Sequence, residues 1–219
     1  MACGADRIET TKVVLGVDSP NGIVGFNFIH APILLYSDTI NAFSERGPSP
    51  LNVLETDRLI LRHLTTDDAA FILTLVNDPS WVQFIGDNGV RTLEEACNYI
   101  VRGPMAMYAR VGFGLYGTAL KEEGTLIGIC GLIKRDSLED VDVGFAFLPQ
   151  FWSQGYAYEA ASAVIAYGKQ VLSLQRIVAI TSPENQRSAR LLEKLGLHFE
   201  RLITLPNDTQ ALRLFATSV

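Results

Sequence analysis

From Leu51 onward the apolar positions switch between a spacing of two and a spacing of three to four, the periods of strands and helices respectively. Arg58-Leu59-Ile60-Leu61-Arg62 sets apolar residues against charged ones, as a half-buried strand does. Thr66-Asp67-Asp68 offers an N-cap and an acidic first turn for a helix through Val76, and Thr92-Leu93-Glu94-Glu95 is a capping box opening a second helix toward Ile100. Strands are predicted over 114–120 and 126–134, joined through the hairpin turn Glu122-Glu123-Gly124, and over 141–148, where Pro149 stops the run. A helix over 159–171 places Ala160, Val164, Tyr167 and Val171 on one face. A short buried strand follows over 176–181, then a helix over 188–195 closed by Gly196. Strands over 199–205 and 210–216 form a last hairpin around Pro206-Asn207-Asp208. This order is α+β (mixed α/β), with a parallel crossover from 141–148 through the helix to 176–181.

The N-terminal part reads differently. Apolar stretches over 11–17 and 23–36 are broken by Asp18-Ser19-Pro20-Asn21-Gly22, a strong turn signal. Residues 37–50, ending Gly47-Pro48-Ser49-Pro50, read as a linker. The expected division is a β-rich extension of unknown role over 1–36, a linker over 37–50 and a folded domain over 51–219. The extension is too short for an independent core without staples.

Composition narrows the function. The chain of 219 residues is 48% hydrophobic and 19% charged, with 18 basic against 24 acidic side chains and a net charge of -6. No Lys/Arg cluster supplies a face for nucleic-acid phosphates, so nucleic acid is not an expected partner. Its start lacks an apolar h-region, and its most apolar window, 22–36, is interrupted by Asn27, His30 and Pro32. The expectation is therefore a cytoplasmic protein with no membrane partner. Cys3, Cys97 and Cys130 show no C-x-x-C pairing, and His30, His63 and His198 are far apart, so no metal is expected.

The chemistry is concentrated in Gly144-Phe145-Ala146-Phe147 and the stretch Trp152-Ser153-Gln154-Gly155-Tyr156-Ala157-Tyr158-Glu159. A strand runs into a loop with small residues at Gly155 and Ala157, then into a helix N-terminus. Backbone N–H groups from Gln154 through Tyr158 can approach an anion there, where the helix dipole favours negative charge. No lysine follows in the Walker arrangement, so a pyrophosphate fits better than a nucleoside triphosphate. Taken alone, the segment equally fits a tight turn without a ligand.

Further motifs accompany it in order. They are Thr56-Asp57-Arg58-Leu59-Ile60-Leu61-Arg62 with Asp68-Ala69, Leu126-Ile127-Gly128-Ile129-Cys130-Gly131-Leu132, Asp142-Val143-Gly144-Phe145, and Asn185-Gln186-Arg187-Ser188-Ala189-Arg190-Leu191-Leu192-Glu193-Lys194-Leu195-Gly196. Together these resemble the GNAT superfamily of N-acetyltransferases, in the branch of the ribosomal-protein N-terminal acetyltransferases, over roughly three-quarters of the chain. The resemblance implies a central, mostly antiparallel twisted sheet with one parallel, splayed strand pair and helices on both faces. Trp152 is a departure: the superfamily more often has Gln or Arg there, so one side-chain contact to phosphate is lost.

It also implies an acetyl-CoA-dependent transfer to an amine acceptor in a monomer or homodimer. Acetyl-CoA would be bound by Gln154, Gly155, Tyr156, Ala157 and Tyr158 at the pyrophosphate, and by Phe145 and Phe147 backbone along the pantetheine. An N–H near Phe145 or Ala146 would serve the oxyanion, and Asn185 would bond the pantetheine arm. Asp142 is implied as the group that orders a water or accepts the amine proton, with an exposed or salt-bridged carboxylate as the alternative. Ser188 is implied as the acid that protonates the thiolate, with a helix cap as the alternative. Asn185 has the same capping alternative, and Glu159 is expected to serve the helix N-terminus.

A competing fingerprint, Gly112-x-Gly114-x-x-Gly117 with Asp136 downstream, matches a dinucleotide loop, but a strand is expected where a helix would be needed. The other reading carried forward is a CoA-binding module that does not catalyse.

Overall fold

The computed structural model describes residues 51–206 and 210–218, and the expectations for 1–36, 37–50 and the tip of the last hairpin lie outside them. The strands are β1 (Asn52–Glu55), β2 (Leu59–Arg62), β3 (Leu115–Leu120), β4 (Leu126–Ile133), β5 (Val141–Phe147), β6 (Ile177–Thr181), β7 (Leu197–Thr204) and β8 (Ala211–Thr217). They form one sheet in the order β1-β2-β3-β4-β5-β6-β8-β7. Every neighbouring pair is antiparallel except β5 and β6. The helices are α1 (Ala69–Val76), α2 (Pro79–Phe84), α3 (Leu93–Ile100), α4 (Ala106–Val111), α5 (Tyr156–Gln170) and α6 (Gln186–Lys194).

Two faces of the sheet are covered because each strand sends alternate side chains to opposite sides. On one face Ala160, Ala161 and Val164 of α5 and Ala189 and Leu192 of α6 pack on Leu59, Leu61, Ile127, Val143 and Phe147. On the other, Ile72, Leu75 and Val76 of α1, Trp81 of α2 and Ala96 and Ile100 of α3 pack around Leu64, Ile129 and Leu148. Full burial of each such Leu or Ile contributes about 1.5–3 kcal/mol. Val171 does not join the α5 face: it lies beyond the helix and is 64% exposed.

Some elements differ from the sequence reading. Strand β1 and helix α2 were not anticipated, and the chain does not leave the helix at Ile100. It widens into a π-helical stretch over Val101–Met105 and continues as α4. Ala106 N–H reaches back to the Val101 carbonyl, a longer loop that accommodates Pro104, which has no N–H to give. The cap of the first helical segment is set at Thr65, whose N–H donates to Asp68 (2.9 Å), and not at Thr66.

The feature that positions a site is the pairing of β5 with β6. It spans only Val141↔Ile177 and Asp142↔Val178. β5 stays paired with β4 on its other side as far as Phe147↔Gly128. Beyond Asp142 the two parallel strands therefore part, leaving one edge of β5 without a partner strand.

Candidate active site

Which groups face that gap follows from the ladder. Leu148 N–H donates to Ile127 (3.0 Å), making 148/127 a hydrogen-bonded pair. Such pairs recur at every second residue, so Ala146 and Gly144 also direct N–H and C=O toward β4, whereas Phe145 and Phe147 direct theirs away, into the gap. Trp152 supports this assignment, because its indole N–H donates to the Phe147 carbonyl (2.7 Å). The groups facing the gap are the N–H and C=O of Phe145 and the N–H of Phe147. Ala146 N–H, one of two donors proposed for an oxyanion, is turned into the sheet and is removed from that role. The indole in turn occupies part of the Phe147 carbonyl's capacity.

At the end of β5 the chain turns through Ser153 (φ 62°) and Gly155 (φ 85°) into α5. Helices α2, α3 and α6 are each capped by a side chain, from Asp78, Thr92 and Asn185. α5 has no side-chain cap. Its first intrahelical bond runs from Glu159 N–H to Gly155, so the N–H groups of Tyr156, Ala157 and Tyr158 lack intrahelical acceptors. Three donors without intrahelical acceptors thus stand at the positive end of a 15-residue helix, an arrangement suited to an anion.

This loop is held by residues that local sequence did not single out. One Glu159 oxygen accepts from the Thr56 hydroxyl (2.6 Å) and Arg58 N–H (2.9 Å). The other accepts from Arg58 Nε (2.7 Å) and lies 2.6 Å from Arg58 Nη2. Arg58 Nη1 also donates to the Gln154 carbonyl (3.0 Å), and the guanidinium sits 4.5 Å from the Tyr156 ring centre. Burial pushes the Glu159 carboxyl up, but the Thr56 hydroxyl, Arg58 N–H and the guanidinium together hold it below the usual range. Glu159 is thus a neutralised anchor of the first helical turn. Its partners stand about a hundred positions away, which is why spacing gives no hint of them.

Asp142, at the vertex of the gap, is 1% exposed. Arg135 Nε donates to both its oxygens, at 3.1 and 3.2 Å. This is the geometry of the salt-bridge alternative: the carboxylate is buried and held by Arg135. Burial pushes the Asp142 carboxyl up, against the pull of Arg135. A carboxyl whose folded pKa lies above its unfolded one contributes stability that is fully present below the unfolded pKa and lost as pH rises through the folded one. Asp142→Asn removes that loss. The melting temperature of the variant minus that of wild type is expected to rise from about pH 4 to about pH 7. A difference that is flat or falls over that interval would contradict the assignment.

Asn185 is the cap of α6, its Oδ1 accepting from Ser188 N–H (3.0 Å). Ser188 is therefore not the cap: it lies in the first turn, half-buried, and its hydroxyl makes no hydrogen bond to a described residue. Asn185 lines a cleft of about 670 Å³ together with Pro149, Trp152, Arg187 and Arg190, and with Asp78, Ser80 and Phe84 around α2.

The structure dismisses the dinucleotide fingerprint. Gly112 ends α4 in a left-handed conformation (φ 81°), and 115–120 is a strand paired with β4. Among the described residues no group of three His, Cys, Asp or Glu is placed to hold a metal, and no helix is long and apolar enough to cross a membrane.

Comparison with known proteins agrees with this arrangement. Residues 58–198 match the acetyltransferase (GNAT) domain family. An uncharacterized N-acetyltransferase of Bacillus subtilis (strain 168), YoaA, is 30% identical over 152 residues, covering 69% of this chain and 85% of the relative. The crystal structure of a GNAT-family acetyltransferase from Bacillus anthracis superposes with a TM-score of 0.62 at 27% identity, covering 74% of this chain and 95% of that one. The ribosomal-protein acetyltransferase RimL, solved with coenzyme A, shares the fold with a TM-score of 0.64 at 16% identity, covering 75% of this chain and 96% of that one. With its splayed parallel pair, its uncapped helix behind a left-handed glycine and a family match over more than half its length, the chain belongs to the GNAT acetyltransferases and is an N-acetyltransferase.

Proposed function

We propose that this enzyme uses acetyl-CoA and transfers the acetyl group to a primary amine, a protein N-terminus or a small-molecule amine, by direct attack on the thioester. The observation that carries the reading is the uncapped N-terminus of α5 standing where β5 and β6 part. A pyrophosphate meets the N–H groups of Tyr156, Ala157 and Tyr158 there, with Gln154 and Gly155 shaping the loop. The pantetheine arm runs into the gap and pairs with Phe145 and Phe147 as an added strand would. Asn185 reaches that arm through its amide nitrogen, since its oxygen serves the helix. That the GNAT neighbour RimL has been solved with coenzyme A supports the choice of nucleotide.

The residues then divide the chemistry. Attack by a neutral amine on the thioester carbon places negative charge on the carbonyl oxygen, and the Phe145 N–H is the donor available to it. As the C–S bond breaks, the Ser188 hydroxyl donates a proton to the departing thiolate and is reprotonated from solvent. The amine gives up its proton to water, because Asp142 is engaged by Arg135. Thiol release from acetyl-CoA in the presence of a mixed amine library, including peptides with free N-termini, tests the reading. Amine-dependent release is expected. Binding of acetyl-CoA with no release for any amine would leave a CoA-binding module instead.

A further inference from the structure

One arginine touches the turn before α5 on both sides of Gly155 and again one helical turn on. Arg58 Nη1 donates to the carbonyl of Gln154 (3.0 Å), the guanidinium lies 4.5 Å from the ring centre of Tyr156, and Nε donates to the carboxylate of Glu159 (2.7 Å). These contacts hold together a turn of unusual backbone shape. Ser153 and Gly155 both stand at positive φ, 62° and 85°, and few residues other than glycine adopt that region. The arginine is itself fixed to the sheet just ahead of β2. Its N–H donates to Glu159 (2.9 Å), and its carbonyl accepts from Lys121 N–H (2.9 Å). Thr56, whose hydroxyl oxygen accepts from Leu59 N–H (3.0 Å), completes the grip by donating to Glu159 (2.6 Å).

An arginine beside a helix N-terminus is ordinarily read as a ligand for the anion, but its bonding opposes that role. Nε and Nη2 are engaged by one oxygen of Glu159, at 2.7 and 2.6 Å, and Nη1 by the Gln154 carbonyl. The charge of the guanidinium is balanced by the carboxylate it holds. What remains particular to this side chain is its shape, a planar fork that reaches a carboxylate and a carbonyl at once. The single nitrogen of a lysine does not span that pair of acceptors in the same way.

Resting on the acetyl-CoA reading, we propose that Arg58 is a positioning residue for the nucleotide. It does not touch the pyrophosphate; through Gln154 and Glu159 it holds the N–H groups of Tyr156, Ala157 and Tyr158 in the arrangement that receives it. Affinity then depends on the shape of the side chain and not on its charge. Calorimetry of the full chain with acetyl-CoA, beside melting curves, is the test. Arg58 is exposed, so replacing it opens no cavity in the core. Arg58→Gln is expected to weaken binding at least about tenfold. Arg58→Lys keeps the charge but loses the fork, and should regain no more than about threefold of that loss. In the double variant Arg58→Gln, Glu159→Gln no unpaired carboxylate is left to repel the nucleotide or to destabilise the fold. Its binding should stay about as weak as that of Arg58→Gln, the non-additivity of two groups acting as one. Arg110→Gln is the control. That exposed arginine also joins a carboxylate, of Asp136 (3.1 Å), to a carbonyl, of Lys134 (2.8 Å), but ahead of β5, and its loss should leave affinity unchanged. Wild-type affinity in Arg58→Gln would overturn the proposal. So would full recovery in Arg58→Lys, which means plain attraction, or in the double variant, which means repulsion by Glu159. An equal loss in Arg110→Gln would overturn it as well, by making the effect one of general stability. If wild type itself does not bind acetyl-CoA, the nucleotide reading falls, a result distinct from all of these.

Discussion

Gly155→Val is expected to weaken acetyl-CoA binding by at least about tenfold, or about 1.4 kcal/mol, while leaving the protein folded. The residue sits at φ 85°, a conformation that costs a side chain about 1–2 kcal/mol. A Cβ built there lies 3.2 Å from Arg58 Nη2. The loop has little freedom to relieve either conflict, because Arg58 ties the carbonyl of Gln154 on one side of the glycine to the carboxylate of Glu159 on the other. Relief must come from rotating the peptides around residue 155, and that rotation carries the N–H groups of Tyr156, Ala157 and Tyr158 out of the alignment an anion needs. Calorimetry with a parallel melting curve checks this result. Unchanged affinity in a folded Gly155→Val would take the loop out of the binding site.

Ser188→Ala is expected to lower kcat by about a hundredfold with the dissociation constant for acetyl-CoA nearly unchanged. An interaction made only as the thiolate forms stabilises the transition state and not the bound nucleotide. The substitution is a clean one here. Asn185 is the cap of α6, so the helix keeps its terminal hydrogen bond through the backbone N–H of residue 188. Alanine is also the residue a helix interior accommodates best. Steady-state kinetics with a saturating amine, set beside calorimetry, separates the two quantities. Wild-type kcat in the variant would mean that solvent, or another hydroxyl, protonates the thiolate.

The parts of the fold legible in the sequence are those whose cause is local. The strands at β2 through β8 announce themselves by runs of apolar residues ended at turn residues, and the Thr92 capping box states where α3 begins. The turn ahead of α5 was legible for the same reason, since a small-residue loop between a strand and a helix is one contiguous feature. What stayed hidden depends on distant partners. The capping box announces a helix only toward Ile100, yet the π-helical widening carries the chain on through Pro104 into α4. Arg58 reads as the start of a strand and Thr56 as part of a motif, yet both hydrogen-bond the carboxylate of Glu159, about a hundred positions on. The carboxylate of Asp142 offers the chemistry of a base in sequence, and only packing reveals that Arg135 and burial have claimed it. Ser188 and Asn185 offered two caps for one helix end, and backbone geometry awarded it to Asn185.

Amide hydrogen exchange measured residue by residue, with and without saturating acetyl-CoA, tests most directly whether the nucleotide occupies the gap between β5 and β6 and the end of α5. Without ligand, the N–H groups of Tyr156, Ala157 and Tyr158 have no intrahelical acceptor, and those of Phe145 and Phe147 face the gap. All five should exchange rapidly. Acetyl-CoA should slow them together, while Ala146 and Gly144, already bonded to β4, change little. Saturation that leaves these five amides unprotected, or that protects a different part of the chain instead, would contradict the placement of the cofactor.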